Sequence, residues 1–323
     1  MGLFSYNKTY GFMRLSKPFL LLSLFLVIAS WVLVGTKGAN WGIDFAGGTL
    51  IQVKYDQAAP IAQMRDKLST EPLFAGSSIS EYGSVQEVVI RVKTSSTSVT
   101  QDLGDMTRTL LAGTGNFEIR RVDMVGPKVG AELREKGLIA LALAIAGILA
   151  YVSYRYEWRF ALASVLALAH DISITAGMLV LFSVDINLDI LAALLTILGY
   201  SINDTIIVFD RIREGITTTK ESDLEASIDA SVSRTLSRTT LTSLTTFFVV
   251  LTLYMFGGEI INGFAFTLLV GIIVGTYSSI YVASPLLVHL GFSIAHYRGR
   301  LAAVEQKAKE KARIRAQFEN GSL

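Results

Sequence analysis

Gly199-Tyr200-Ser201-Ile202-Asn203-Asp204-Thr205-Ile206-Ile207-Val208-Phe209-Asp210-Arg211-Ile212-Arg213-Glu214 decides the reading of this chain. It closes a long apolar segment that begins near Ile190, and it carries a carboxylate, Asp204, well before the charged cluster that ends it. At about 1.5 Å per residue, a helix places Asp204 on the order of 10 Å inside the end marked by Arg211. A carboxylate at that depth in lipid costs roughly 3 kcal/mol or more, so it must face a partner or a water path. Asp204 is therefore the first candidate functional residue.

The bulk composition agrees with a membrane setting. Mean hydropathy is +0.48. Hydrophobic residues make up 51% and charged residues 17%, against roughly 25% charged in soluble domains. A net charge of +2 without a basic, aromatic-interleaved stripe argues against a nucleic-acid partner. The chain has no cysteine, which excludes disulfides, thiolate metal sites and a Cys nucleophile. Three scattered histidines, His170, His289 and His296, argue against a metal centre, and there is no GxxxxGK[ST] phosphate loop. The expectation is a protein without cofactor that is not an enzyme and draws energy from a partner or an ion gradient.

Six apolar segments approach the roughly 20 residues needed to cross a bilayer. They cover 18–35, 137–154, 160–182, 186–209, 239–256 and 263–292. The only long polar connections are 36–136 and 211–238. Lysine and arginine set the orientation. Lys8, Arg14 and Lys17 precede the first span. Arg155 and Arg159 separate the second and third. Arg211, Arg213, Lys220 and Arg234 lie between the fourth and fifth, and Arg298 to Arg315 follow the sixth. The opposite loops, Ser183-Val184-Asp185 and Gly257-Gly258-Glu259, carry neither residue. Both termini are thus expected in the cytoplasm, with 36–136 outside. The first apolar run is longer than a signal-peptide core and lacks a clear cleavage site, so it reads as a retained span.

The outer region alternates as strands over 50–55, 77–82, 85–93 and 117–125, with helices over 60–68 and 99–111. The order β-α-β-β-α-β is the split βαβ, ferredoxin-like pattern. The expected fold class is an all-α membrane protein of six transmembrane helices with a small α+β ferredoxin-like extracytoplasmic domain. Its parts are a cytoplasmic N-terminus at 1–17, the first membrane helix at 18–35 and a periplasmic domain at 36–136. Transmembrane helices two to six follow at 137–292, then a basic cytoplasmic tail at 293–323.

Four motifs carry a family resemblance. Trp41-Gly42-Ile43-Asp44-Phe45-Ala46-Gly47-Gly48 resembles a G-I-D-F-x-G-G motif, and Val125-Gly126-Pro127 resembles V-G-P before the second span. The opening segment resembles G-Y-S-x-N-D-T-I-V-x-F-D-R-I-R-E, with Ile207 where the pattern has Val. Thr235-Leu236-Ser237-Arg238-Thr239-Thr240-Leu241-Thr242-Ser243-Leu244-Thr245-Thr246 resembles T-L-S-R-T-x-x-T-S-x-T-T. Together these are similar to the SecD/SecF family of the RND superfamily, and to its six-span, SecF-type members. The resemblance runs from about Arg14 to Leu287, and the tail adds nothing to it.

The resemblance implies a subunit of the Sec preprotein translocase in the bacterial inner membrane. Such a subunit pairs with SecD in a twelve-span unit beside the SecYEG channel and YajC. It implies that outer domains engage the translocating preprotein and that protons drive the cycle. It also makes Asp204 the key carboxylate and Arg238 the key arginine.

Other residues join them from the sequence itself. Asn203 and Thr205 flank Asp204 and can hydrogen-bond a carboxylate or a water, or make ordinary interhelical contacts. His170 and Asp171, near the middle of the third span, suggest a relay or a local packing pair. Gly42, Asp44, Gly47 and Gly48 shape the junction of the first span with the outer domain, as a hinge or as a tight join. Small residues in the sixth span, including Gly271, Gly275, Ser278 and Ser279, predict close helix packing. The basic tail fits anchoring of topology or contact with membrane lipid. A non-conducting scaffold and a small-molecule RND exporter are the competing functions. An exporter of that kind usually has two large outer domains and twelve spans.

Overall fold

The computed structural model describes residues 8–92, 103–219 and 221–319. The α+β domain, expected from the charge bias to lie outside and called the outer domain for that reason, begins after helix α1 (Ser16–Lys37) with a single helical turn, α2 (Ile43–Ala46), and strand β1 (Gly48–Tyr55). Helix α3 (Ile61–Ser69), strands β2 (Ser78–Tyr82) and β3 (Ser84–Val92), helix α4 (Leu103–Leu110) and strand β4 (Phe117–Val125) complete it. The expected first part of the second outer helix and Lys93 lie outside the described residues.

The four strands form one antiparallel sheet in the order β2-β3-β1-β4. Period-two alternation sorts its two faces. Ile51, Val53 and Tyr55 of β1 pack with Val88 and Ile90 of β3 beneath Met64, Leu68, Leu103 and Leu111, forming the domain's core. The register pairs Ile51 with Ile90 and Val53 with Val88, so both strands bury the same face. Gln52 and Arg91 fall on the other face, and Gln52 donates to Glu87 at 2.7 Å. That face looks toward the membrane part of the molecule across a cleft of about 570 Å³.

Among the described residues, six helices are long and apolar enough to cross a membrane. They are α1, α5 (Pro127–Arg155), α6 (Trp158–Leu181), α7 (Leu188–Thr218), α8 (Leu224–Phe256) and α9 (Glu259–Ser278), the last continued by a π-helical turn (Ser279–Ala283) and α10 (Ser284–His289). The most apolar windows of α6 and of the α9–α10 span are each 56% buried, against 11% in α1 and α5. Those two helices are therefore central. α9 packs on α6, α7 and α8, and α1 packs on α6. A polar helix, α11 (Ile294–Glu319), follows.

Small residues let these helices approach, as the sixth span's composition predicts. A Cβ on Gly271 would lie 2.3 Å from Ile197, and one on Gly275 would lie 3.0 Å from Ser201. Past this contact Pro285 has no N–H to give Tyr281, and the ladder widens into the π turn. Ser284 Oγ donates instead to Ser279 O at 2.9 Å.

Several helices outrun their apolar stretches. α5 starts at Pro127, where proline suits the first helical position, well before the apolar run at 137. The connection expected over 211–238 is mostly helix, because α7 continues to Thr218 and α8 begins at Leu224. Charged residues such as Lys128, Glu132 and Arg234 end a hydropathy signal but are good helix formers. Asp223 caps α8 by accepting from Glu225 N at 3.2 Å.

Candidate functional site

The buried face of α7 reads Ser201, Asp204, Thr205, Val208 and Ile212, the spacing of one stripe on a helix. Asp204 is thus carried inward by an otherwise ordinary core stripe and is 2% exposed. Its Oδ2 accepts a hydrogen bond from Ser243 Oγ of α8 at 3.2 Å. Ser243 Oγ in turn faces Thr276 Oγ1 of α9 at 2.8 Å. One carboxylate and two hydroxyls so link three helices. Among the described residues, no Lys, Arg or His lies within ion-pair distance of Asp204.

Arg238 does not meet Asp204. Its side chain is exposed on the surface of α8, and it makes no ion pair among the described residues. Five residues separate it from Ser243, about 7.5 Å along the axis and some 140° around it. Asn203 is also exposed, on the outer face of α7. Thr205 donates to Ser201 O of its own helix at 3.2 Å rather than to the carboxylate.

His170 and Asp171 form a second buried cluster. Asp171 Oδ1 faces His170 Nδ1 at 2.9 Å. Asp171 Oδ2 accepts from Ser201 Oγ of α7 at 2.5 Å and from Ser278 Oγ of α9 at 2.9 Å. From the sequence Ser201 and Thr276 carry no role of their own, and Ser278 reads as a helix-packing residue. Ser243 belongs to a run of hydroxyls, 239–246, that gives the fifth span a polar face suited to a hydrated path or to close packing. The available signal was position: Ser201 is one turn before Asp204, and Ser278 is two residues past Thr276.

The junction residues meet the same helix at its other end. Asp44 Oδ2 accepts from Leu188 N at 3.1 Å, at the first turn of α7. Ile186 N donates to Asn40 O at 2.7 Å and Gly42 N to Ile186 O at 3.0 Å. A Cβ on Gly42 would overlap Asn187 Oδ1 at 1.6 Å. Gly47, at φ +75°, abuts Pro127 of α5, and Gly48, at φ +137°, abuts Val92 O. The glycines therefore provide close backbone approach between the outer domain, α5 and the start of α7. Asp185, in the loop before α7, pairs with Arg91 of the sheet at 2.7 Å and accepts from Asn40 Nδ2 at 2.6 Å. Across the same cleft Asp123 holds the Arg121 guanidinium above its ordinary range through a 2.5 Å ion pair.

Among the described residues, no group of three or more His, Asp or Glu side chains is arranged to hold a metal ion. What the arrangement offers chemically is two buried carboxylates, each bonded to hydroxyls from neighbouring helices.

Two family models match the chain. "Protein export membrane protein SecD/SecF, C-terminal" covers residues 106–293, and "SecD/SecF GG Motif" covers residues 32–59. A Helicobacter pylori protein translocase subunit SecF is 48% identical over all of both chains. The SecF of Vibrio alginolyticus is 46% identical over 90% of this chain and 92% of its own. A crystal structure of SecDF, a translocon-associated membrane protein from Thermus thermophilus, superposes with a TM-score of 0.81 at 34% identity, covering 90% of this chain. A SecDF structure in a super-membrane-facing form gives 0.66 at 33% identity over 93% of this chain. The present chain spans only 39% and 40% of the length of those two solved chains. With the family models covering the GG-motif junction and most of the membrane helices, and SecF relatives matching nearly end to end, the chain belongs to the SecD/SecF family as a SecF-type subunit of the protein translocase.

Proposed function

We propose that this subunit helps turn the proton-motive force into outward movement of a preprotein, with Asp204 as the carboxylate that takes up and releases the proton. The observation that carries the reading is Asp204 itself, 2% exposed, with a hydroxyl donor and, among the described residues, no cation beside it. A buried acid without a counter-charge is costly when ionised, and proton uptake removes that cost. The transmembrane potential supplies about 2.3 kcal/mol per charge per 100 mV, enough for one proton to bias a two-state domain.

The proposal includes a SecD-type partner. Asn203 and Arg238 are exposed on α7 and α8, and lipid hydrocarbon is a poor solvent for both, whereas a second membrane subunit can cover them. SecYEG, YajC and the translocating preprotein complete the proposed setting. Both termini lie in the cytoplasm of this reading and the ferredoxin-like domain lies outside, in keeping with the lysine and arginine bias. The unequal TM-scores at nearly equal identity and coverage are consistent with a framework whose parts take more than one arrangement.

The test is Asp204→Asn in membrane vesicles with an imposed proton gradient. The expected result is normal assembly with the partner subunit and loss of the proton-driven component of translocation. Full proton-driven activity in that variant overturns the reading.

A further inference from the structure

The Asp204 chain leaves a second buried acid unexplained. Asp171 is 0% exposed and His170 is 6% exposed. An ionised carboxylate only accepts, so with Asp171 ionised the His170 Nδ1 that faces it carries the hydrogen. The other ring nitrogen, Nε2, is buried and has no hydrogen-bond partner among the described residues. With Nε2 bare, His170, Asp171, Ser201 and Ser278 together hold a net negative charge. With a hydrogen on Nε2 they are neutral overall. Nε2 is the atom at which this cluster gains or loses a proton.

Few other titratable groups surround it. Ser173 and Gly177, on the same side of α6 as His170, meet Trp31 and Ser30 of α1. Between Lys17 and Lys37, α1 has no titratable side chain. α5 has none between Lys136 and Tyr151. From α9 the Tyr277 ring stacks on the imidazole at 6.1 Å, with Tyr281 of the π turn behind it. The Tyr277 hydroxyl is taken up by Phe19 O and Ser23 Oγ. His289 of α10 turns its Nδ1 to Pro285 O. On α7 the ionisable groups near Ser201 are Tyr200, whose hydroxyl is committed to Thr242 O and Thr246 Oγ1 of α8, and Asp204, one turn away.

We propose that His170 and Asp171 form a second proton-holding site, exchanging its proton at Nε2, and that its occupancy is tied to that of Asp204 through the packed turns of α7 and α9 that carry the hydroxyl donors of both sites. This rests on the reading of Asp204 as the proton-binding acid. Counting hydrogens fixes the state of the Asp204 chain, since a hydroxyl has one to give. That state reaches Asp171 through the packed turns of α7 and α9, because among the described residues no hydrogen bond joins Thr276 or Ser243 to Ser278 or Ser201. Thr276 Oγ1 chooses between Ser243 Oγ at 2.8 Å and Ile272 O at 2.7 Å. Ser278 Oγ chooses between Asp171 Oδ2 at 2.9 Å and Gly275 O at 3.1 Å.

When Asp204 is ionised, Thr276 donates to Ser243 and Ser243 donates to Asp204. When Asp204 takes a proton, its O–H donates to Ser243, Ser243 turns to Thr276, and Thr276 turns to Ile272 O. Every hydroxyl keeps a partner, and the chain reverses. Ser278 sits on the same turn of α9 as Thr276, and Gly275 packs directly on Ser201. Both donors to Asp171 Oδ2 are thus joined to the segment that reverses. The π turn begins at the next residue, Ser279, where the helix ladder is already displaced.

The experiment uses the full chain assembled with its partner, with His289→Gln and His296→Gln so that His170 is the remaining imidazole in this subunit, labelled with 15N-histidine introduced into this subunit alone. The expected spectrum keeps Nδ1 protonated at every pH and shows the proton gained and lost at Nε2. Asp204→Asn is expected to change the proton affinity at Nε2 several-fold, and Asp171→Leu, which removes the acceptor at nearly the same volume, is expected to release the Nδ1-H tautomer. An Nε2 midpoint that is the same with Asp204 and with Asn at that position overturns the coupling. A tautomer indifferent to Asp171→Leu overturns the site. Proton-driven translocation lost in Asp204→Asn with an unmoved His170 midpoint removes this inference alone. A moved midpoint with full translocation removes the functional reading and keeps the coupling.

Discussion

Asp44 Oδ2 accepts the backbone N–H of Leu188 at 3.1 Å, so a residue at the entrance to the outer domain caps the helix that carries Asp204. The first N–H groups of a helix have no intrahelical partner, and a carboxylate there satisfies one and complements the helix dipole. The GG-motif segment and α7 are therefore one mechanical unit at this end. Movement of the outer domain has a direct path to the start of α7, through this cap and through the Asn40–Ile186–Gly42 backbone bonds.

Removing that cap has a stated cost. Asp44→Ala leaves Leu188 N without its acceptor and is expected to destabilise the protein by about 1 kcal/mol, within the usual cap range. Asp44→Asn keeps an acceptor oxygen and should recover much of the loss. Thermal unfolding of the purified variants in detergent checks this, and equal midpoints for Ala and the parent would remove the capping role.

The Ser243 donor gives a second expectation. Ser243→Ala deprives Asp204 of its hydroxyl, and a hydrogen bond to an ionised group is worth about 1.5–3 kcal/mol. Proton-driven translocation should fall on the order of tenfold, since about 1.4 kcal/mol is a factor of ten. Ser243→Thr retains the hydroxyl and should retain most of the rate. An Ala variant as active as the parent would show that Ser243 does not serve Asp204.

Asp204 was legible because hydropathy marks a span and charge inside a span is conspicuous. The outer domain was legible too, because alternation over β1 and β3 makes Ile51, Val53, Val88 and Ile90 stand out as one face. What the sequence did not reveal was rotational phase. Arg238 and Ser243 are close in the chain, yet about 140° apart around α8, so Ser243 reaches the carboxylate and Arg238 stands outside. Asn203 adjoins Asp204 in sequence and lies roughly 100° away on the helix, on the exposed side. The hydroxyls that bind Asp171 come from two other helices, and only tertiary packing selects Ser201 and Ser278 from the many serines and threonines present.

Gly177 tests the packing of α1 on α6. A Cβ there would stand 2.2 Å from Ser30 Oγ and 2.8 Å from Ser30 Cα. The serine hydroxyl can turn away, but the backbone cannot, so Gly177→Ala must push α1 outward. Overpacking of this kind typically costs about 1–3 kcal/mol. A lowered unfolding midpoint is expected, with partial relief when Ser30→Gly is added. No change in the single variant would mean that the two helices are more loosely held than their geometry indicates.

Arg91 and Asp185 make the ion pair that holds the sheet to the loop before α7, at 2.7 Å and with side chains 30% and 20% exposed. Water screens a pair at that exposure, so its own contribution to stability is at most about 1 kcal/mol. A contact that weak holds the sheet to the loop before α7 without fixing the two rigidly. Asp185 also accepts from Asn40, so Asp185→Ala should loosen the junction more than Arg91→Ala does. Exchanging the two charges with Arg91→Asp and Asp185→Arg should restore the ion pair but not the Asn40 bond. Hydrogen exchange of the backbone from 183 to 187 provides the measurement. The expected order of protection is parent, exchanged pair and Arg91→Ala, with Asp185→Ala least protected. If Arg91→Ala leaves that exchange unaltered, the sheet is held to α7 by the Asp44 cap and the backbone bridge alone.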